Sequence, residues 1–193
     1  MKALSMCVFA VAMAAMPPAI ASPEVPLPAD SVYQASIELT DAQSRHFAWG
    51  EKRGQPQLVS MFYTSCTFSC PMLVEAAKVV RQSLTADERA RLGVTLISLD
   101  PKRDTPQVLA RMQKARSIGE VNWTLARPAP RDVRKIAGLL GVRYRALADG
   151  DFNHTTVLVL LDAEGRVVAR TEQLGGVPDP TFLAVLRGTL AGH

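Results

Sequence analysis

The stretch Val59-Ser60-Met61-Phe62-Tyr63-Thr64-Ser65-Cys66-Thr67-Phe68-Ser69-Cys70-Pro71 carries an apolar segment into a pair of cysteines and then into a proline. Residues 58–63 read as a buried strand. Over residues 71–84, Leu73, Ala76, Ala77 and Val80 recur at helical spacing. The two cysteines therefore sit where a strand ends and a helix begins. Partial positive charge at a helix N-terminus stabilises a thiolate, so both sulfurs should be reactive or competent to bind metal. Residues four apart on a helical turn lie about 5–6 Å apart, a range open to either a disulfide or shared metal ligation. The pair can close a disulfide, hold one soft metal ion, or alternate between the two. Thioredoxin-type exchange enzymes place two residues between their cysteines. This chain has three, a looser loop that can open its sulfurs around an ion.

Outward from this junction, residues 94–99 form the next apolar strand, and residues 105–116 a helix with Pro106 in its first turn. Thr85-x-x-Glu88 is a capping-box signature for a short helix stopping at Gly93. A short strand is expected at 123–126 and a helix at 132–140, ended by Gly141. Residues 143–147 read as extended, 148–151 as a turn and 155–161 as a strongly apolar strand. A hairpin through 162–165 into 167–171 and a helix at 180–190 complete the chain. Before all of this, Ile37 and Leu39, then Phe47 and Trp49, alternate with polar neighbours and predict an N-terminal β-ribbon. Alternating strands and helices imply a parallel core with right-handed crossovers, and the last hairpin adds an antiparallel edge. The expectation is an α/β, thioredoxin-like fold with an N-terminal β-ribbon and an inserted helix/strand element.

Three segments are expected along the chain. Residues 1–21 read as a signal peptide: Lys2 supplies the positive start, residues 3–15 are apolar but too short to span a bilayer, and Ala19-Ile20-Ala21 is a small-x-small cleavage site. Residues 22–31, with Pro23, Pro26 and Pro28, read as an extended proline-rich tether. Residues 32–193 form one thioredoxin-like domain, and the roughly 170 residues left after cleavage suffice for a full core. Cys7 falls inside the leader and leaves only the close pair in the mature chain. In an oxidising compartment structural disulfides come as several separated pairs, and so small a loop constrains the unfolded chain little. The pair is thus read as chemical rather than structural. The whole sequence has 22 basic and 18 acidic residues; losing Lys2 leaves 21 against 18. That mild excess, without a run of like charges, points to neither nucleic acid nor a membrane patch. The expectation from the residues is export by a cleaved signal peptide, with a membrane tether less favoured.

His154, in Asp151-Phe152-Asn153-His154-Thr155-Thr156, lies just before the strand expected at 155–161. In a thioredoxin-like fold the loop entering that strand faces the cysteine turn, so this imidazole would point at both sulfurs. Two thiolates and an imidazole form a soft three-donor set. Structural zinc normally takes four protein ligands, whereas three such donors suit trigonal Cu(I), or Cu(II) with an added oxygen. Copper, as Cu(I)/Cu(II), is the expected cofactor. His46 and His193 read as solvated. At the carboxyl end of the next strand, Asp100-Pro101-Lys102-Arg103-Asp104-Thr105-Pro106 stands where sites assemble in open α/β sheets. Asp100 is a candidate to orient the histidine or a metal-bound water from behind the ligands. Asp104, Thr105 and Pro106 read as a turn and helix start, with Asp104 or Thr105 capping the backbone donors and Pro106 opening the helix.

The run Phe62–Pro71, then 100–106, then Asn153-His154, resembles the Sco/SenC family in the right order, over about residues 32–190. The resemblance implies a thioredoxin-like copper protein facing the periplasm that helps load the binuclear copper centre of cytochrome c oxidase. It implies copper ligation by Cys66, Cys70 and His154, with Cys66 and Cys70 also serving as a redox pair. Implied partners are a cuproenzyme client, such as the oxidase subunit with the binuclear site, and a periplasmic thiol reductant. The alternative is a thiol–disulfide oxidoreductase without an obligatory metal. Where many family members carry a proline and an acidic residue between the cysteines, this chain has Thr67, Phe68 and Ser69. A peroxiredoxin-type peroxidase expects an upstream proline–threonine pattern that Gln55-Pro56 does not supply.

Overall fold

Continuous apolar runs decide which strands lie innermost in this computed structural model, which describes residues 26–66, 69–118 and 121–192. The expected signal peptide lies outside those residues. The ribbon is β1 (Glu38–Asp41) and β2 (His46–Ala48), paired antiparallel. Strands β3 (Gln57–Phe62) and β4 (Gly93–Ser98) are buried at every position, as expected for strands covered on both faces. Then come β5 (Trp123–Pro128), the short strands β6 (Tyr144–Ala146) and β7 (Phe152–His154), and β8 (Leu158–Leu161) with β9 (Val167–Thr171).

The main sheet has the order β2-β1-β5-β4-β3-β8-β9. Strand β3 is parallel to β4 and antiparallel to β8, and β9 is antiparallel to β8. The four-strand unit β9-β8-β3-β4 is the thioredoxin arrangement. Strand β5, parallel to β4, and the ribbon extend it beyond β4. Leu58, Met61, Phe62, Leu96, Ile97 and Leu160 are wholly removed from solvent. Each such side chain stabilises the fold by roughly 1.5–3 kcal/mol through burial.

Helix α1 (Ser69–Gln82) follows the cysteine turn, and α2 (Ala86–Arg91) shows both bonds of the capping box between Thr85 and Glu88. Gly93 opens β4 instead of ending that helix, because Leu92 already turns the chain into extended geometry. Helix α3 (Pro106–Ala115) is capped by Thr105, α4 (Val133–Leu140) ends at left-handed Gly141, and α5 (Pro180–Ala191) is capped by Asp179.

Two boundaries differ from expectation. Packed structure reaches back into residues 22–31: Leu27 packs on the core, and buried Ser31 donates to the Glu164 carbonyl at 2.5 Å. The strand expected at 155–161 pairs only from Leu158, because Thr155 donates its N–H to Arg143 and continues the small hairpin instead. That hairpin, β6–β7, forms a second sheet of two strands apart from the main one.

Candidate metal centre

Strand β3 ends at Phe62, and Tyr63 to Cys66 make a tight turn closed by the Cys66 N–H on the Tyr63 carbonyl, 3.2 Å. Cys70 lies in the first turn of α1, and its N–H points at Cys66 Sγ, 3.3 Å away. A sulfur that accepts an N–H at a helix start is held in its thiolate-favouring environment. Both cysteines are buried and are not bridged to each other.

His154 closes β7, and its imidazole faces the cysteine turn. The ligand atoms of Cys66, Cys70 and His154 all lie within 4.8 Å of one another, and among the described residues no other group of three acids, histidines or cysteines converges this way. Nδ1 sits 3.1 Å from the Thr155 carbonyl. A carbonyl can only accept, so Nδ1 carries the proton and Nε2 keeps its lone pair. That Nε2 is buried without a hydrogen-bond partner. A buried acceptor left unpaired is costly unless something else fills it. Burial pushes the imidazole's pKa below its ordinary value, the Thr155 bond and Asp151 opposing, so the ring is held neutral.

With bonds of about 2.0–2.3 Å to nitrogen and sulfur, three donors around one trigonal ion stand about 4 Å apart, so slight closure would seat one. Two sulfurs and one imidazole are a soft set, and the residues fit a copper ion.

The residues read from the DPKRDTP run redistribute. Asp100 does not reach the imidazole; its buried carboxylate is engaged by Arg103, which also donates to the carbonyl of Gly150. Asp104 is not a helix cap, since Thr105 takes that role through the Val108 N–H. Instead Asp104 is buried and accepts from the Thr64 hydroxyl, from the Thr64 N–H at 3.2 Å and from the Ser98 hydroxyl at 2.5 Å. Burial raises its pKa, while the donors from Ser98 and Thr64 oppose that shift. It ties the cysteine turn to the end of β4.

Tyr63 lies within the run that resembles the family and takes no role from the sequence, yet it joins the two halves of the site. Its hydroxyl donates to the Phe152 carbonyl at 3.2 Å. Its ring meets Phe152 and His154 edge-on, with centroids 5.2 and 5.7 Å apart. Burial, with hydrogen bonds to Asp151 and Cys66, raises the phenol's pKa and keeps it a donor. An aromatic directly before the turn was the one visible hint. Thr67 and Phe68 lie outside the described residues, and His46 is exposed on the ribbon.

The family model SCO1/SenC matches residues 27–187. A candidate copper-binding protein of Stutzerimonas stutzeri is 27% identical over 131 residues, covering 67% of this chain; the chain spans 64% of that relative's length. The copper-bound ScoI structure from Bradyrhizobium japonicum superposes with a TM-score of 0.65 at 25% identity, over 79% of this chain and 96% of that one. A crystal structure from Aquifex aeolicus gives 0.72 at 23% identity, over 85% and 95%, and at that identity supports the fold alone.

Proposed function

The chain belongs to the SCO1/SenC family, and from that premise we propose that it is a periplasmic copper-binding protein that delivers copper to a cuproenzyme's copper site, reduces that site's cysteines, or both. The binuclear copper centre of cytochrome c oxidase is the first candidate client. One observation carries the reading: Cys66, Cys70 and an unpartnered Nε2 of His154 converge within 4.8 Å. Copper, the cargo, is received between the two sulfurs and the imidazole. Three donors leave it coordinatively open, so an incoming client thiolate can add before a resident one leaves, and the ion passes by ligand exchange.

The same sulfurs support a second reading, favoured by the Cys70 N–H on Cys66 Sγ. The Cys66 thiolate attacks a client disulfide, forming a mixed disulfide and expelling one client thiolate. Cys70 then displaces the second client sulfur and closes the Cys66–Cys70 disulfide. Two electrons pass to the client, and a periplasmic thiol reductant restores the pair.

His154→Ala separates the readings. Copper retention by the reduced mature protein should fall steeply, while reduction of a model disulfide continues at the wild-type rate. Copper binding that survives the substitution intact overturns the three-ligand centre. The periplasmic placement rests on the leader pattern read at residues 1–21 of the sequence; protein left uncleaved in the cytoplasmic fraction on expression of the full chain would count against it.

A further inference from the structure

The side chain of Arg103 is about half exposed, with 49% of it open to solvent, yet two of its nitrogens are engaged by separate segments. Nε donates to Asp100, whose carboxylate is buried at the end of β4, and Nη2 donates to the carbonyl of Gly150. Gly150 stands in the turn of hairpin β6–β7, four residues before His154, with φ +84°. That left-handed backbone favours glycine. A Cβ built on Gly150 would meet Arg103 Nη1 at 3.4 Å, so the guanidinium lies close against the turn.

The hairpin needs such a hold. It has no ladder to the seven-stranded sheet, and its own pairing fixes only its internal shape. Tyr63 ties one side of it to the cysteine turn through Phe152. Asp104 ties the cysteine turn to the end of β4 through Thr64. Arg103 supplies the remaining side, from the end of β4 to the hairpin turn. The three segments around the ligands are thus joined in a closed ring of polar contacts. A planar fork presents separate, rigidly spaced donors to the carboxylate and the carbonyl, whereas a lysine ammonium offers its donors from one point on a flexible stem.

We propose that Arg103 is a positioning residue of the metal centre: by bridging Asp100 to the Gly150 carbonyl it sets the hairpin at the height where His154 meets the two sulfurs. The assignment rests on the three-ligand reading above. It places Asp100 one residue further from the metal, acting through Arg103.

A double-mutant cycle on the mature, reduced protein tests it, with Cu(I) affinity read by competition against bicinchoninate. Arg103→Ala should weaken Cu(I) binding about tenfold, the lower end of what outer partners of metal ligands contribute. Arg103→Lys should recover little of that loss. In a His154→Ala background, Arg103→Ala should cost nothing further, because no imidazole is left for Arg103 to position. The Cu(II) form of Arg103→Ala should keep its thiolate charge-transfer band but lose nitrogen hyperfine structure in its paramagnetic resonance spectrum. Should Arg103→Ala fail to fold by circular dichroism, Arg103→Lys carries the same cycle. Wild-type affinity in the Arg103 variants, or an equal loss with and without His154, overturns the assignment. If His154→Ala alone binds copper like wild type, the three-ligand reading falls, and this inference with it.

Discussion

Cys66 and Cys70 stand on ground that the core holds, whereas His154 stands on a two-stranded hairpin outside the main sheet. The cysteine turn leaves β3, whose six residues are all buried, and enters a helix whose Leu73, Val74 and Ala77 pack inward. The hairpin exposes Arg145, Ala146 and Asn153, and side-chain contacts through Tyr63 and Arg103 hold it. The contrast teaches a division of labour. The two cysteines are placed by the packed core, and His154, the third candidate ligand, is placed by a few polar contacts and by the packing of Tyr144 and Phe152. Local openings are drawn from weakly packed elements, so ligand exchange should begin on the histidine side.

The largest expected effect lies on the rigid side. Phe62→Ala, at the end of β3, should destabilise the protein by about 3–5 kcal/mol, lowering the melting temperature by about ten degrees. Phe152→Ala, on the half-buried hairpin, should leave the melt nearly unchanged while weakening copper binding. Equal melting shifts for the two would erase the distinction between the regions.

Next in size, Cys70→Ser should reduce Cu(I) affinity by more than about a hundredfold, beyond the range of outer partners. Its melting curve should stay close to wild type, since the pair is unbridged in the structure. Titration against a Cu(I) chelator measures this, and affinity within tenfold of wild type would remove Cys70 from the ligand set.

Tyr63→Phe removes one hydroxyl and keeps the ring against His154. A hydrogen bond of about 1 kcal/mol corresponds to a roughly fivefold weakening of copper binding if the hydroxyl docks the hairpin. Faster hydrogen exchange at Phe152 to His154, with the β3 amides unchanged, should accompany it; uniform exchange across both would sink the idea.

The smallest effect is a pH dependence of the apo-protein. Burial lowers the His154 pKa from its ordinary 6.5, so below that pH the unfolded chain takes up a proton that the folded chain resists. Stability is therefore lost as pH falls from 6.5 and levels off below the folded-state pKa. His154→Gln should show a smaller drop in urea midpoint between pH 7 and 5. The raised pKa of Asp104 acts in the opposite sense, but it is common to both proteins and cancels in the difference.

Much of the fold could be read in the chain because its signals are local. Thr85 and Glu88 form their capping box, Thr105 and Pro106 start α3, and Gly141 ends α4. The β6–β7 hairpin was only half visible. Three-residue strands are too short for alternation to declare itself, and residues 155–157 share the apolar and β-branched character of the strand that follows. Asp104 misled for a related reason: an acidic residue before Thr-Pro looks like a cap, and nothing nearby in sequence reveals that Thr64, forty residues earlier, will reach it.

The amino-acid order alone determined the strand–helix alternation, the cysteine turn at a helix start, and which three side chains had the chemistry to share a soft ion. Periodicity, capping and donor type are properties of neighbouring residues, so the order of the chain is enough to express them. The tertiary structure decided how those three side chains meet. Tyr63, Asp100, Arg103 and Asp104 acquire their roles from segments distant in the chain, and a contact between distant segments exists only once the sheet has brought them together.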